Sequence, residues 1–191
     1  MVVLVTGGAR SGKSTFAEQY AARRAGQARV TYIATAQALD EGMRRRIDRH
    51  RRQRDARWET VEEPLDLVGT LERRRDDPVL LIDCLTLWLT NVLLAREEDE
   101  AAAERRVLAE VDRLAAALRD FPGCAIAVTN EVGDGIVPEY PLGRLYRDLA
   151  GLMNQRIAAT AREVFLVTAG IPVELRRIAY RWPDEDAGAE S

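Results

Sequence analysis

Gly7-Gly8-Ala9-Arg10-Ser11-Gly12-Lys13-Ser14 has the residue types and spacing of a phosphate-binding loop, G-x-x-x-x-G-K-[ST]. Glycines let the backbone curl until its N–H groups converge on phosphate oxygens. Lys13 would reach the β- and γ-phosphates of a nucleoside triphosphate, and the Ser14 hydroxyl would ligate Mg2+. A helix starting at Lys13 would aim its positive dipole end at the same anion. A glycine turn before an ordinary helix has similar residues. Here the apolar run Val2 to Val5 precedes the loop and helix signals follow it, which is the context the motif requires. The expected partner is Asp83, at the end of the apolar run Val79 to Ile82. A strand-terminal acid there suits the Mg2+ shell; aspartate is also a favoured helix N-cap, and both roles stay open.

His50 is the only histidine of the chain, and Lys13 the only lysine. On a helix, Met43, Ile47, His50 and Arg54 would share one face. A buried, satisfied imidazole would give the same pattern, so position alone does not make His50 a nucleophile. Its neighbours are unusual: Arg44, Arg45, Arg46, Arg49, Arg51, Arg52, Arg54 and Arg57 flank it. Such a run is ordinarily a solvated face. It also suits a triphosphate, because guanidinium groups grip phosphate in a bidentate way. Cations nearby disfavour imidazolium and leave a nitrogen lone pair for attack.

The elements that must position these groups alternate. Strands are expected at Val2–Val5, Val30–Ala34, Trp58–Val61, Val79–Asp83, Cys124–Val128 and Val164–Val167, the last ended by Gly170-Ile171-Pro172. Helices are expected from Lys13 to about Arg24, Asp40 to about Arg57, Pro64 to Arg75, Cys84 to Ala95, Glu97 to Arg119 and Leu142 to Thr160. Strands alternating with helices argue for an α/β fold with a mainly parallel central sheet flanked by helices. The length of 191 residues suits a single catalytic domain over 1–180, followed by an acidic, disordered tail over 181–191. The apolar face Leu85, Trp88, Leu89 and Val92 is either core or a subunit contact. A net charge of −3 gives no electrostatic case for nucleic acid. No apolar run is long enough to span a membrane, and no signal-peptide pattern opens the chain. Cys84 and Cys124 sit in or beside apolar stretches as expected for reduced thiols, so the cytoplasm is the expected compartment.

Several classes of nucleotide protein compete. A regulatory GTPase would read guanine through N-K-x-D, and the single lysine is already in the loop. A motor or transport ATPase would bring further motifs and more chain. A small-molecule kinase or nucleotidyltransferase fits the size, and a non-catalytic nucleotide-binding module stays possible.

Beyond these residues, several motifs occur in order: Thr6 to Ser14, Tyr32-Ile33-Ala34-Thr35-Ala36, Arg46-Ile47-Asp48-Arg49-His50, Trp58-Glu59-Thr60-Val61-Glu62, Asp83-Cys84-Leu85-Thr86, Thr129-Asn130-Glu131-Val132-Gly133 and Gly151-Leu152-Met153-Asn154-Gln155. In them the chain resembles the bifunctional adenosylcobinamide kinases/adenosylcobinamide-phosphate guanylyltransferases of cobalamin biosynthesis, nearly throughout, to about Leu175. The resemblance implies a RecA-like P-loop core and a homotrimer. It implies phosphorylation of a corrinoid hydroxyl, then transfer of GMP from GTP to that phosphate through a guanylylated histidine, which falls on His50. ATP and GTP are the implied nucleotides, with Mg2+. It places nucleotide contacts at Ala34, Thr35, Ala36, Arg51, Arg52, Gln53, Arg54, Glu62 and Asp83 besides the loop. Glu62 could pair with guanine N1–H and N2–H, or be a plain surface acid before Pro64. Asn130-Glu131 and the Gly133-Asp134-Gly135 loop face the same rim, where a corrinoid site is open.

Overall fold

The computed structural model describes residues 1–37, 58–97 and 99–180. The expected helix Asp40 to Arg57, with His50 and Arg51 to Arg54, and the acidic tail over 181–191 lie outside the described residues.

Seven strands form one sheet in the order β3-β2-β4-β5-β1-β6-β7. The first six in chain order are β1 Val2–Thr6, β2 Val30–Ala34, β3 Trp58–Glu62, β4 Val79–Asp83, β5 Cys124–Val128 and β6 Glu163–Thr168. All pair in parallel. Strands β1, β2 and β4 read as unbroken apolar or small runs because both their faces are covered. Alternation then sorts the side chains. Val2 and Leu4 face a core closed by α2 (Leu67–Arg73), α3 (Leu85–Leu94), α4 (Glu100–Asp120) and α5 (Pro141–Thr160). Val3 and Val5 face the other way, onto Ala17 and Ala21 of α1 (Lys13–Ala25). This is the mainly parallel P-loop α/β architecture expected.

Three local expectations are corrected. The strand Val164–Val167 does end before Gly170, as expected, but it is not the last strand. Ala169 (φ 51°) and Gly170 (φ 80°) make a two-residue turn with both φ values positive, as a type I′ hairpin requires. β7 (Ile171–Glu174) then returns antiparallel to β6. Pro172 is tolerated because β7 is the sheet edge. Helix α2 does not open at Pro64. The Glu63 carboxylate accepts the Leu65 and Asp66 N–H groups (3.0 and 2.8 Å) and holds a turn there, and Asp66 caps the helix by accepting Gly69 N–H at 2.9 Å. Helix α4 starts at Glu100 rather than Glu97, capped by Asp99, which accepts from Ala102 N at 2.9 Å.

Leu85, Trp88 and Leu89 are no more than 1% exposed and Val92 is 6% exposed, so within one chain this face is core. Cys84 is buried and Cys124 half-buried, both free, and burial pushes both thiols above their ordinary range. No helix among the described residues is long and apolar enough to cross a membrane. A short helix, α6 (Leu175–Ile178), follows β7.

Leu89→Ala is expected to cost about 3 kcal/mol of stability by leaving a cavity under α3, read as a lower urea midpoint at fixed protein concentration, with no change in particle mass by light scattering. A variant of wild-type stability that dissociates would return this face to a subunit contact.

Candidate active site

Parallel register sets the strand ends level. Ala34 pairs with Asp83, Asp83 with Val128, and Val128 with Val5. The ends of β2, β4, β5 and β1 therefore line one carboxyl edge, where open α/β sheets bind their ligands.

The phosphate loop leaves that edge at Gly7. A Cβ on Gly7 would stand 2.4 Å from the Val167 carbonyl oxygen and 2.8 Å from Ser11 Oγ, so only glycine fits. Arg10 (φ 58°) and Gly12 (φ 94°) take left-handed conformations, and Ser11 N–H donates to Gly8 O at 3.3 Å. The β6–β7 turn braces the loop: Gly170 N–H donates to Ser11 O at 2.8 Å, and a Cβ on Gly12 would lie 3.2 Å from Gly170 Cα. Helix α1 begins behind it with no side-chain cap and no acid in its first turn. Its first N–H groups and dipole are thus left to an anion. Lys13 is buried, its Nζ donating to Gly8 O at 3.1 Å across the loop. Ser11 Oγ is buried without a hydrogen-bond partner among the described residues. Ser14 sits half-buried in the first turn of α1.

Asp83 ends β4, half-buried and level with Val5 across the intervening β5. Two strand spacings, about 9.5 Å, separate β4 from β1. The N-cap of α3 is Cys84, with no side-chain cap, so the Asp83 carboxylate does not cap that helix. Tyr32 Oη donates to its Oδ2 at 3.1 Å. Ser14 and Asp83 offer hard oxygens, the donor type Mg2+ takes. The described residues hold no cluster of three or more His, Cys, Asp or Glu. A metal here would take one or two protein ligands and the rest from phosphate and water, which is how Mg2+ binds.

The 34–36 segment is held from within. Thr35 is fully buried; its hydroxyl donates to Cys84 O (2.7 Å) and accepts from Cys84 N–H (2.8 Å). Asn91 Nδ2 donates to Thr35 O at 2.9 Å and to Pro64 O at 3.1 Å, and Glu63 N–H donates to Ala34 O at 2.9 Å. Thr35 therefore clamps β2 to the end of β4, and half-buried Ala36 is left at the surface of the segment. Glu62 ends β3, exposed and paired in register with Ala34.

A polar network that the sequence does not display joins the loop to α3 and α5. Thr6 Oγ1 donates to Glu131 Oε1 at 2.7 Å, and Glu131 N–H donates to Gly7 O at 3.3 Å. Asn154 of α5 donates to Glu131 Oε1 (3.3 Å) and to Asn130 O (3.1 Å), and accepts from Thr129 Oγ1 (2.7 Å). Asn130 Nδ2 donates to Thr86 Oγ1 at 2.6 Å, and Tyr146 Oη to Thr86 O at 3.1 Å. Asn130 and Glu131 were legible as a strand-end pair. Thr6, Thr86 and Asn154 carry no signal beyond their motifs, because their partners are distant in sequence.

Gly7→Ala is expected to displace the loop and cost about 1–3 kcal/mol of nucleotide binding, roughly ten- to hundred-fold in affinity. Titration with a fluorescent nucleotide checks this on a variant with native circular dichroism. Wild-type affinity would remove the loop from the binding site.

The family model for CobU, cobinamide kinase/cobinamide phosphate guanyltransferase, matches residues 3–175. The bifunctional adenosylcobalamin biosynthesis protein CobU of Salmonella typhimurium is 46% identical over 185 residues, spanning 92% of this chain and 100% of the relative. The bifunctional adenosylcobalamin biosynthesis protein CobP of Pseudomonas aeruginosa is 48% identical over 174 residues, 91% of this chain and 96% of the relative. Among solved structures, a KaiC-like protein of Pyrococcus horikoshii superposes with a TM-score of 0.49 at 19% identity, over 86% of this chain and 71% of its own. A P-loop on a parallel sheet, a family match over almost the whole chain and near-complete coverage of relatives at this identity lead to one assignment: the chain belongs to the cobinamide kinase/cobinamide phosphate guanyltransferase family.

Proposed function

We propose that this chain phosphorylates adenosylcobinamide with ATP or GTP and then transfers GMP from GTP to the resulting phosphate, releasing pyrophosphate, in the cytoplasm. The observation that carries the reading is the uncapped start of α1 behind the Gly7–Ser14 loop, level with Asp83 on the same sheet edge, in a chain of this family.

In the kinase step, N–H groups of the loop and of the first turn of α1 hold the phosphates. Lys13 swings from Gly8 O to the β- and γ-phosphates. Ser14 and Asp83 hold Mg2+, which when bound neutralises phosphate charge and fixes phosphate orientation. The acceptor hydroxyl oxygen bonds to the γ-phosphorus, the bond from that phosphorus to the bridging oxygen breaks, the hydroxyl proton passes to water, and the nucleoside diphosphate leaves. Glu131 is anchored beside the loop by Thr6 and Asn154, and the acceptor would enter on that side. Thr35 acts as the clamp that shapes the turn carrying Ala36, and Glu62 reads guanine.

In the transfer step, a His50 nitrogen attacks the α-phosphorus of GTP and pyrophosphate leaves, giving a phosphoramidate. Arg51, Arg52 and Arg54 offset the leaving charge as it develops, and Gln53 adds an uncharged contact. The corrinoid phosphate oxygen then attacks the same phosphorus, and the nitrogen–phosphorus bond breaks to regenerate His50. A homotrimer belongs to this proposal. The α3 face is core, and the edge with exposed Ile171, Val173, Ile178 and Tyr180 is an apolar surface open to such a contact.

Asp83→Asn keeps shape and removes charge. It is expected to raise the Mg2+ concentration for half-maximal turnover by about ten-fold, with nucleotide binding in the absence of Mg2+ changed less. Unchanged Mg2+ dependence would leave Asp83 without a metal role.

Incubation with GTP and Mg2+ is expected to add GMP to His50 through an acid-labile, alkali-stable bond, seen by mass spectrometry. His50→Ala is expected to lose GMP transfer and keep kinase turnover at least in part, because the kinase step needs no enzyme nucleophile. An adduct on another residue, or none, overturns the mechanism.

A further inference from the structure

A concentration of exposed apolar side chains lies around a cavity beside the residues that bond the phosphate loop. A cavity of about 320 Å3 lies between α3, the 131–140 segment and the start of α5, with Leu93, Val132, Pro138 and Tyr146 among its walls. Its rim is unusually bare: Ile136 is 98% exposed, Tyr140 64% and Leu94 61%. Isolated exposed apolar residues need no explanation, but several converging on one cavity mark a binding surface.

The segment does not simply lack packing. Arg144 donates to Pro138 O (3.2 Å) and Glu139 O (2.6 Å), and Arg147 donates to Gly133 O. Two arginines of α5 thus fix its backbone while Ile136 points to water. The fold holds the rim open instead of collapsing it onto the core.

The inner wall is continuous with the site above. Val132 follows Glu131, whose N–H bonds Gly7 O and whose carboxylate accepts from Thr6. Tyr146 lines the cavity and its hydroxyl reaches Thr86 O, three residues past Asp83. A ligand seated here would lie against Val132, next in sequence to the residue that bonds the phosphate loop. The cavity suits a bulky, methyl-studded body with polar arms. Its walls are aliphatic and aromatic, and Thr90, Tyr140 and Arg147 supply hydrogen-bonding groups at the rim. It is too small to enclose a macrocycle and fits one edge of it.

We propose that this cavity is the docking site for the corrinoid acceptor: one edge of the corrin ring rests on Ile136, Leu94 and Tyr140, and its hydroxyl-bearing side arm runs past Val132 and Glu131 to the phosphate loop. The proposal rests on the kinase reading above and adds where the acceptor sits.

Ile136→Asp and Leu94→Asp test it, since both side chains project into solvent and neither holds the fold together. Each is expected to raise the KM and the dissociation constant for adenosylcobinamide by about ten-fold, by removing apolar contact and burying charge. Nucleotide affinity and kcat at saturating acceptor should stay at wild-type values. Acceptor binding is read by equilibrium dialysis using corrin absorbance, and turnover by phosphate transfer. Active wild type with variants of unchanged acceptor KM and affinity overturns the docking site and leaves the kinase reading standing. Wild type that neither binds nor phosphorylates adenosylcobinamide overturns the kinase reading, and the docking site with it. Variants that lose mass in light scattering identify the cavity as a contact between copies of this chain, and overturn the proposal.

Discussion

The approach of Gly7 to the Val167 carbonyl governs the geometry of the whole edge. A methyl group there would stand 2.4 Å from a backbone oxygen that cannot step aside, because Val167 belongs to a paired strand. The loop can curl this tightly only because the β6–β7 turn supplies a wall made of backbone, with Gly170 against Gly12 and its N–H on Ser11 O. The wall fixes where α1 begins, and hence where its first N–H groups point. An edge hairpin that looks dispensable is thus a support of the anion site.

The second constraint is electrostatic. Strand ends that bring Thr6, Thr35, Thr129 and Asp83 to one edge also bring polar groups into partial burial, where each unpaired one costs about 1–3 kcal/mol. The structure answers with shared partners. Thr35 serves both backbone groups of Cys84, Asn154 serves Thr129, Asn130 and Glu131, and Thr86 serves Asn130 and Tyr146. The ends of β1, β2 and β5 are thereby tied to α3 or α5. Ser11 Oγ is the buried side-chain polar atom left without a partner among the described residues, and it lies in the phosphate loop itself. That hydroxyl therefore coincides with the place where a ligand would bring oxygens.

Much of the edge was legible because its determinants are local. The glycine spacing of Gly7 and Gly12, the apolar runs of β1, β4 and β5, and the acid at Asp83 are each decided by neighbours in sequence. What was not legible depends on pairing across the fold. β7 is a strand because β6 offers it an edge and because Pro172 faces outward; its own residues, led by Gly-Ile-Pro, signal a stop. α2 starts at Leu67 because Glu63 captures two N–H groups first, a competition that the favoured Pro at a helix start conceals. Thr35 reads as one more residue in a ligand-facing motif, and only the fold shows it spending its hydroxyl and carbonyl on Cys84 and Asn91. Leu85, Trp88 and Leu89 could have been core or contact by pattern alone; α4 and the sheet, arriving from elsewhere in the chain, decide it.

A phosphate loop holds a nucleotide by its phosphates and is indifferent to which phosphorus reacts. On the proposed reading this chain performs two displacements, one at the γ-phosphorus by a corrinoid hydroxyl and one at the α-phosphorus by His50. The loop cannot distinguish them, since its N–H groups and Lys13 serve the same anion in both. Selection must come from what is presented opposite the leaving group. On the proposed reading the γ-end is approached from the Glu131–Val132 side, Val132 being a wall of the apolar cavity. On the same reading the α-end meets His50, which lies in the stretch of sequence between β2 and β3, whereas Glu131 and Val132 follow β5. β2 and β5 flank β4 and its terminal Asp83 in the sheet, so on the proposed reading the two nucleophiles belong to chain segments joined to different strands around one anion seat.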